Sequence, residues 1–151
     1  MDKIDKHILN ILQIDGRIRN AELAKRVGLS QGACLERVKK LENRGIISSY
    51  QAILNAEKIG IGIESFVQIT LSRHKQDALN EFMEVVQNVP EIIECYYITG
   101  GADFLLKIAV ENIKAYQNFL LNKLSTLPNL QHVETMMVMS NTKQSAPYQI
   151  K

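Results

Sequence analysis

The 151-residue chain predicts an α+β fold in two parts: an N-terminal unit built of helices, then a C-terminal sandwich of helices on a sheet. Two patterns and one imbalance point to it. Apolar residues recur at helical spacing through residues 2–45. From residue 63 on, runs of alternating apolar residues take turns with amphipathic stretches in the order β-α-β-β-α-β. Charge is also divided: residues 1–60 hold 11 Lys and Arg against 7 Asp and Glu, a net +4, and residues 61–151 hold 7 against 9, a net −2.

The first helix is expected over 2–14, capped by Asp2, with Ile4, Ile8, Ile11 and Leu12 on one stripe. Asp15 and Gly16 break it. A second helix follows Asn20, a candidate cap, and carries Leu23, Ala24 and Val27 inward until Gly28 supplies a left-handed stop. Leu29 turns inward and Ser30 caps a third helix, which buries Cys34, Val38 and Leu41 and ends at Gly45. Two short helices joined by this Gly-Leu-Ser turn, the second one basic, have the form of a helix-turn-helix whose second helix enters the DNA major groove. Gln31, at the start of that helix, is the candidate reader of base edges, with Arg37 a second. Ser30, Lys39 and Lys40 are placed for phosphates, and Arg17, Arg19, Arg26 and Arg44 for the flanking backbone. Glu36 and Glu42 have the spacing for intrahelical pairs with Lys40 and Lys39.

Residues 46–54 (IISSYQAIL) predict a strand, a wing or connector, with Ile46, Tyr50, Ala52 and Leu54 on one face. Residues 1–54 thus form the first domain and 55–62 (NAEKIGIG) a hinge. The second domain spans 63–140. Its strands are expected at 63–72, 92–98, 103–110 and 130–140. Its helices are expected at 76–89, with Leu79, Phe82, Met83 and Val86 inward, and at 112–125, with Ile113, Tyr116, Leu120 and Leu124 inward. Two helices over one face of a four-stranded antiparallel sheet is the ferredoxin-like arrangement. Residues 141–151 form a polar tail, expected to be mobile at its end.

The composition, 46% hydrophobic and 23% charged, is that of an ordered globular protein. With neither a signal peptide nor a long apolar run, a cytoplasmic protein is expected, and Cys34 and Cys95 are expected as separate buried thiols. His7, His74 and His132 are dispersed and lack metal-ligand spacing. No phosphate loop, dinucleotide fingerprint or nucleophile–base grouping is present. An enzyme and a metal cofactor are therefore not expected. An RNA-binding module is disfavoured because strand 103–110 lacks the aromatic, glycine-rich pattern of RNA-binding sheets.

Thr99-Gly100-Gly101-Ala102-Asp103 admits two readings. One is a tight hairpin with an aspartate in its turn. The other is a loop whose amides approach a carboxylate while Asp103 faces an ammonium group, which together recognise a free α-amino acid.

The segments DKIDKHILNILQIDGRI, LAKRVGLS, CLERVKKLENRGII, TGGADFLLK and TMMVM, in this order, resemble the Lrp/AsnC (leucine-responsive, feast/famine) family of transcriptional regulators from Met1 to about Ser145. CLERVKKLE and VMSNTKQS incline the resemblance toward the leucine-responsive branch. It implies a (winged) helix-turn-helix joined to a ferredoxin-like domain, homodimers assembling to an octamer, and an amino-acid effector bound between dimers by the 99–103 loop. The positions matching the family pocket are Tyr97, Ile113 and Met136, Met137 and Val138. Adaptable methionines make leucine or methionine the expected effector, with sheet-core packing the competing role of Met137 and Met139. Family loops carry a bulky residue before the aspartate where this chain has Ala102, which implies a roomier pocket or a weaker assembly contact. A two-fold dimer wrapping duplex DNA implies pseudo-palindromic, AT-rich sites. The alternative is an architectural protein that wraps DNA without an effector.

Overall fold

The computed structural model describes residues 1–72, 76–143 and 145–150. The backbone divides into two compact units, Met1–Ile53 with the segment from Thr142 onward, and Leu54–Asn141.

In the first unit, α1 (Lys3–Leu12) starts in a capping box: Asp5 N–H donates to Asp2, and Asp2 N–H donates back to Asp5. Helix α2 (Asn20–Val27) ends at Gly28, whose φ of 70° closes it as expected, and the Ser30 hydroxyl caps α3 (Gln31–Asn43) by accepting from Ala33 N–H. Ile8, Leu23, Ala24, Val27, Cys34 and Leu41 form the core, with Val38 and Leu29 packed at its edge. The cap of α2 differs from expectation. Arg19 occupies the cap position without a side-chain bond, and the Asn20 side-chain amide instead donates to Gln31 O at 2.9 Å, tying α2 to the start of α3.

The strand expected at 46–54 is not formed among the described residues. Its start is held locally: Ile46 and Ile47 N–H both donate to Leu41 O, Ile47 joins the core, and Tyr50 Oη donates to Glu42 at 2.9 Å. Burial, aided by that carboxylate, pushes the Tyr50 phenol up to about 12. The remainder joins no ladder among the described residues, and Ile53 and Leu54 are 86% and 65% exposed. A strand exists only as part of a hydrogen-bonded pair, and apolar alternation alone does not supply the partner.

The tail also departs from expectation. Gln13 grips the backbone of Tyr148 twice, its Nε2 donating to Tyr148 O at 3.2 Å and its Oε1 accepting from Tyr148 N–H at 2.7 Å. Ile150 packs against the core of the first unit. Both lie beside a groove of about 400 Å³ that Leu12, Ile46, Ile47 and Tyr50 also line. Gln144 and Lys151, like His74 of the dispersed histidines, lie outside the described residues.

The second unit contains β1 (Ile63–Leu71), α4 (Gln76–Val86), β2 (Ile92–Tyr97), β3 (Phe104–Val110), α5 (Ile113–Asn122) and β4 (Leu130–Met137). The sheet order is β2-β3-β1-β4, with every neighbouring pair antiparallel. This is the ferredoxin-like topology. Val67, Ile69 and Leu71 of β1 and Phe104, Leu106 and Ile108 of β3 point to one face, where Phe82, Tyr116 and Phe119 of the helices cover them. Two helix stripes differ from expectation: Met83 and Ile113 are 36% and 56% exposed, and Phe119 occupies the core instead. Gly62 allows the close approach that starts the sheet, since its N–H donates to Glu111 O at 3.1 Å and a Cβ there would stand 2.5 Å from that oxygen. Cys95, expected buried, is exposed on edge strand β2, whereas Cys34 is in the core. Both thiols are free.

Candidate DNA interface and ligand site

Helix α3 presents its polar faces outward. Gln31, Lys39 and Lys40 are exposed, as are Ser30 before it and Arg44 after it, and Arg17, Arg19 and Arg26 lie exposed on the segments leading in. Arg26 is shared, its Nε 3.0 Å from Glu22 one helical turn earlier. The lysine pairs expected of Glu36 and Glu42 are not formed among the described residues, and Glu42 accepts from Tyr50 instead. Arg37 departs most from expectation. Its Nη1 lies 2.6 Å from Asp2 and 2.7 Å from Asp5, and the side chain is one-third exposed. A base-reading arginine presents its fork to the groove, whereas this one is turned toward α1. Nothing in the local sequence announces the contact, because Asp2 and Arg37 are 35 positions apart.

In the second unit, loop 99–103 joins β2 to β3. Gly100 has a φ of 125°, Ala102 is buried, and Asp103 is built into the hairpin. The Asp103 carboxylate accepts from Leu71 N–H at 2.7 Å. Its backbone N–H donates to Ile69 O, and its carbonyl accepts from Ile98 N–H. These bonds fasten the loop to the C-terminal end of β1. Tyr97 stands beside it, 65% exposed, its ring centroid 5.2 Å from that of Phe104.

The other residues expected at the ligand site lie elsewhere. Met136 and Met137 pair with Phe66 and Ser65 at the N-terminal end of β1, and Val138 N–H donates to Glu64 O. Alternation places Met137 on the helix-covered face, beside the buried Ser65, and Met136 on the open face. Ile113 begins α5 just after the β3 end that pairs with Ile63. Leu71 and Ser65 are six positions apart, so the loop and the methionine cluster are separated by about 20 Å along the strand. One copy of the chain therefore separates the expected ligand-site residues into two groups, Tyr97 with residues 99–103 at one end of the sheet and Ile113 with residues 136–138 at the other. Among the described residues, no group of His, Cys, Asp and Glu side chains is arranged to hold a metal ion, and no helix is long and apolar enough to cross a membrane.

A helix-turn-helix with an exposed basic second helix, followed by a ferredoxin-like domain carrying a glycine-rich loop, defines a DNA-binding regulator with an appended ligand-binding domain. Residues 1–42 match the AsnC-type helix-turn-helix domain, and residues 64–148 match the Lrp/AsnC ligand binding domain. The chain belongs to the Lrp/AsnC family. It is 45% identical to the leucine-responsive regulatory proteins of Escherichia coli and Klebsiella pneumoniae over the whole chain and 92% of each relative. A transcriptional regulator from Neisseria meningitidis solved in complex with L-methionine superposes with a TM-score of 0.92 at 34% identity, covering 99% of this chain and 96% of that one. An AsnC family regulator from Agrobacterium tumefaciens does so at 0.91, with 34% identity and 99% and 97% coverage. The protein is a regulator of this kind and not an enzyme.

Proposed function

We propose that this regulator binds pseudo-palindromic, AT-rich duplex DNA and changes its assembly and DNA binding when leucine or methionine occupies a site formed where copies of the chain meet. The observation that carries the proposal is the separation of the two groups along β1, since one chain does not close a pocket from them. The loop of one copy supplies Thr99, Gly100, Gly101, Ala102 and Asp103 for the zwitterionic end. Ile113, Met136, Met137 and Val138 of another supply an apolar wall. The methionine complex of the Neisseria relative supports the effector class.

Dimers form through the second domains and the 46–54 segment, whose residues beyond Ile47 join no strand among the described residues and would meet a strand of a partner copy. Further assembly of dimers to an octamer multiplies the basic patches available to wrapped DNA, in a soluble protein of the cytoplasm. Gln31 reads bases. Ser30, Lys39 and Lys40 contact phosphates, and Arg17, Arg19, Arg26 and Arg44 hold the flanking backbone. Thermal shifts measured against the twenty amino acids, followed by sedimentation with any hit, test the reading. Stabilisation by leucine or methionine with a change of assembly is expected. A flat panel, with DNA wrapping intact, favours the architectural alternative, for which Ala102 and the inward-bonded Asp103 are the supporting observations.

A further inference from the structure

The capping box of α1 has a second use. Each of its two carboxylates divides its oxygens between two tasks. Asp2 Oδ1 accepts from Asp5 N–H at 2.8 Å while its Oδ2 takes Arg37 at 2.6 Å. Asp5 Oδ2 accepts from Asp2 N–H at 3.1 Å while its Oδ1 takes Arg37 at 2.7 Å. All four carboxylate oxygens are engaged, and one guanidinium nitrogen bridges both residues. The Asp5 side chain is 15% exposed, whereas those of Arg37 and Asp2 are 33% and 52% exposed, so the Asp5 arm is the better shielded from the water that weakens surface pairs. The guanidinium is already matched by two carboxylates, and the same groove of about 780 Å³ is lined by Glu36 and by the cations Lys39, Lys40 and Arg44. Those three side chains, rather than Arg37, are the ones placed to offer charge to a phosphate.

We infer that Arg37 is a positioning residue: it clasps the N-terminus of α1 and fixes the orientation of α3, and it contacts neither base nor phosphate. The DNA-reading helix is thereby held at two places. Its start is held by Asn20 bonded to Gln31 O, and its middle by the Asp2–Asp5–Arg37 clasp. Fixing a helix within a fraction of an ångström is what lets Gln31 meet a base edge at hydrogen-bond distance.

One ratio separates this assignment from direct contact. The Asp2→Asn/Asp5→Asn double variant keeps side-chain oxygens for the helix cap but removes both negative charges. Their loss favours every duplex alike through long-range charge, so the readout is the ratio of affinities for a preferred and a scrambled duplex. If Arg37 touched DNA, releasing it would leave or raise that ratio, whereas the clasp predicts a fall of about threefold or more, the scale of a surface ion-pair network. The assay uses the full-length protein on two duplexes: one selected from a random pool by the unsubstituted protein, and a scrambled duplex of equal composition. Arg37→Met is expected to weaken binding with the slope of log affinity against log salt unchanged, and Arg37→Lys to recover most of the affinity and the same preferred sequence. Thermal melts run beside each variant confirm that the domain is folded. An unchanged or higher ratio in the double variant overturns the assignment. So does a salt slope reduced by about one in Arg37→Met, which marks a phosphate contact, or a changed preferred sequence in Arg37→Lys, which marks a base contact.

Discussion

Gln31 and Lys40 are exposed on one helix, and the chemistry of their side chains supports the division of roles proposed for them. An amide presents a donor and an acceptor to a base edge, whereas an ammonium is a point charge for phosphate. Gln31→Ala is expected to flatten discrimination between sequences by about 1–3 kcal/mol, and Lys40→Ala to weaken all sequences alike, as measured by gel shift on a panel of single-base variants. The clasp supplies a pH dependence. The Asp2 carboxyl is held below the carboxylate value of 3.8 by the Asp5 backbone N–H and then by Arg37. In Asp5 burial works the other way, and the Asp2 backbone N–H and Arg37 overcome it. A depressed folded value stabilises the fold fully above 3.8 and loses that contribution as pH falls through the folded values. Melting temperatures should therefore drop on acidification below 3.8, and drop less steeply in Arg37→Met, with Glu36, Lys39, Lys40 and Arg44 the other charged groups of the groove. At this scale local rules were legible in the sequence: Ser30 and Asp2 cap helices, and Gly28 stops one. Arg37 was not, because its partners come from a helix far away in sequence, and neither was the exposure of Cys95, because β2 forms the sheet edge.

At the level of the element, periodicity carried the assignment wherever an element finds its partner within the chain. The alternation of Val67, Ile69 and Leu71 and of Phe104, Leu106 and Ile108 marks strands that pair with each other and pack under helices. Segment 46–54 shows the limit of that logic. Its apolar pattern is real, but among the described residues it joins no strand, and beyond the contacts to Leu41 and Glu42 its Ile53 and Leu54 stay exposed. Composition misleads in the tail, where a polar stretch hides Ile150 and a backbone that Gln13 grips from both sides. Replacing Ile150 by Asp should expose the amides of α1 to faster hydrogen exchange, while exchange in the β1–β3 ladder stays unchanged. Gly62→Ala should act on the other unit. Its Cβ would stand 2.5 Å from Glu111 O, so separating the strand starts should cost about 1–3 kcal/mol in urea unfolding.

For the whole molecule, the proposed ligand site is divided into two halves at opposite ends of β1, and that division would connect sensing to assembly. A ligand that bridges copies stabilises whichever assembly brings those halves together, and it shifts populations only by its differential affinity for that state. The loop and the methionine strand are each visible in the sequence. Their separation is not, since it follows from the register of Met137 opposite Ser65 and of Asp103 opposite the far end of β1. Binding in trans is tested most directly by mixing two defective chains, Asp103→Ala and Met136→Asp, and titrating leucine and methionine by calorimetry. Each variant alone should bind neither amino acid. An equal mixture, dissociated and reassembled, should regain saturable binding at about one quarter of the sites, the fraction in which an intact loop meets an intact methionine strand from another copy. A mixture as inactive as its components, beside an unsubstituted protein that binds, would contradict a site shared between copies.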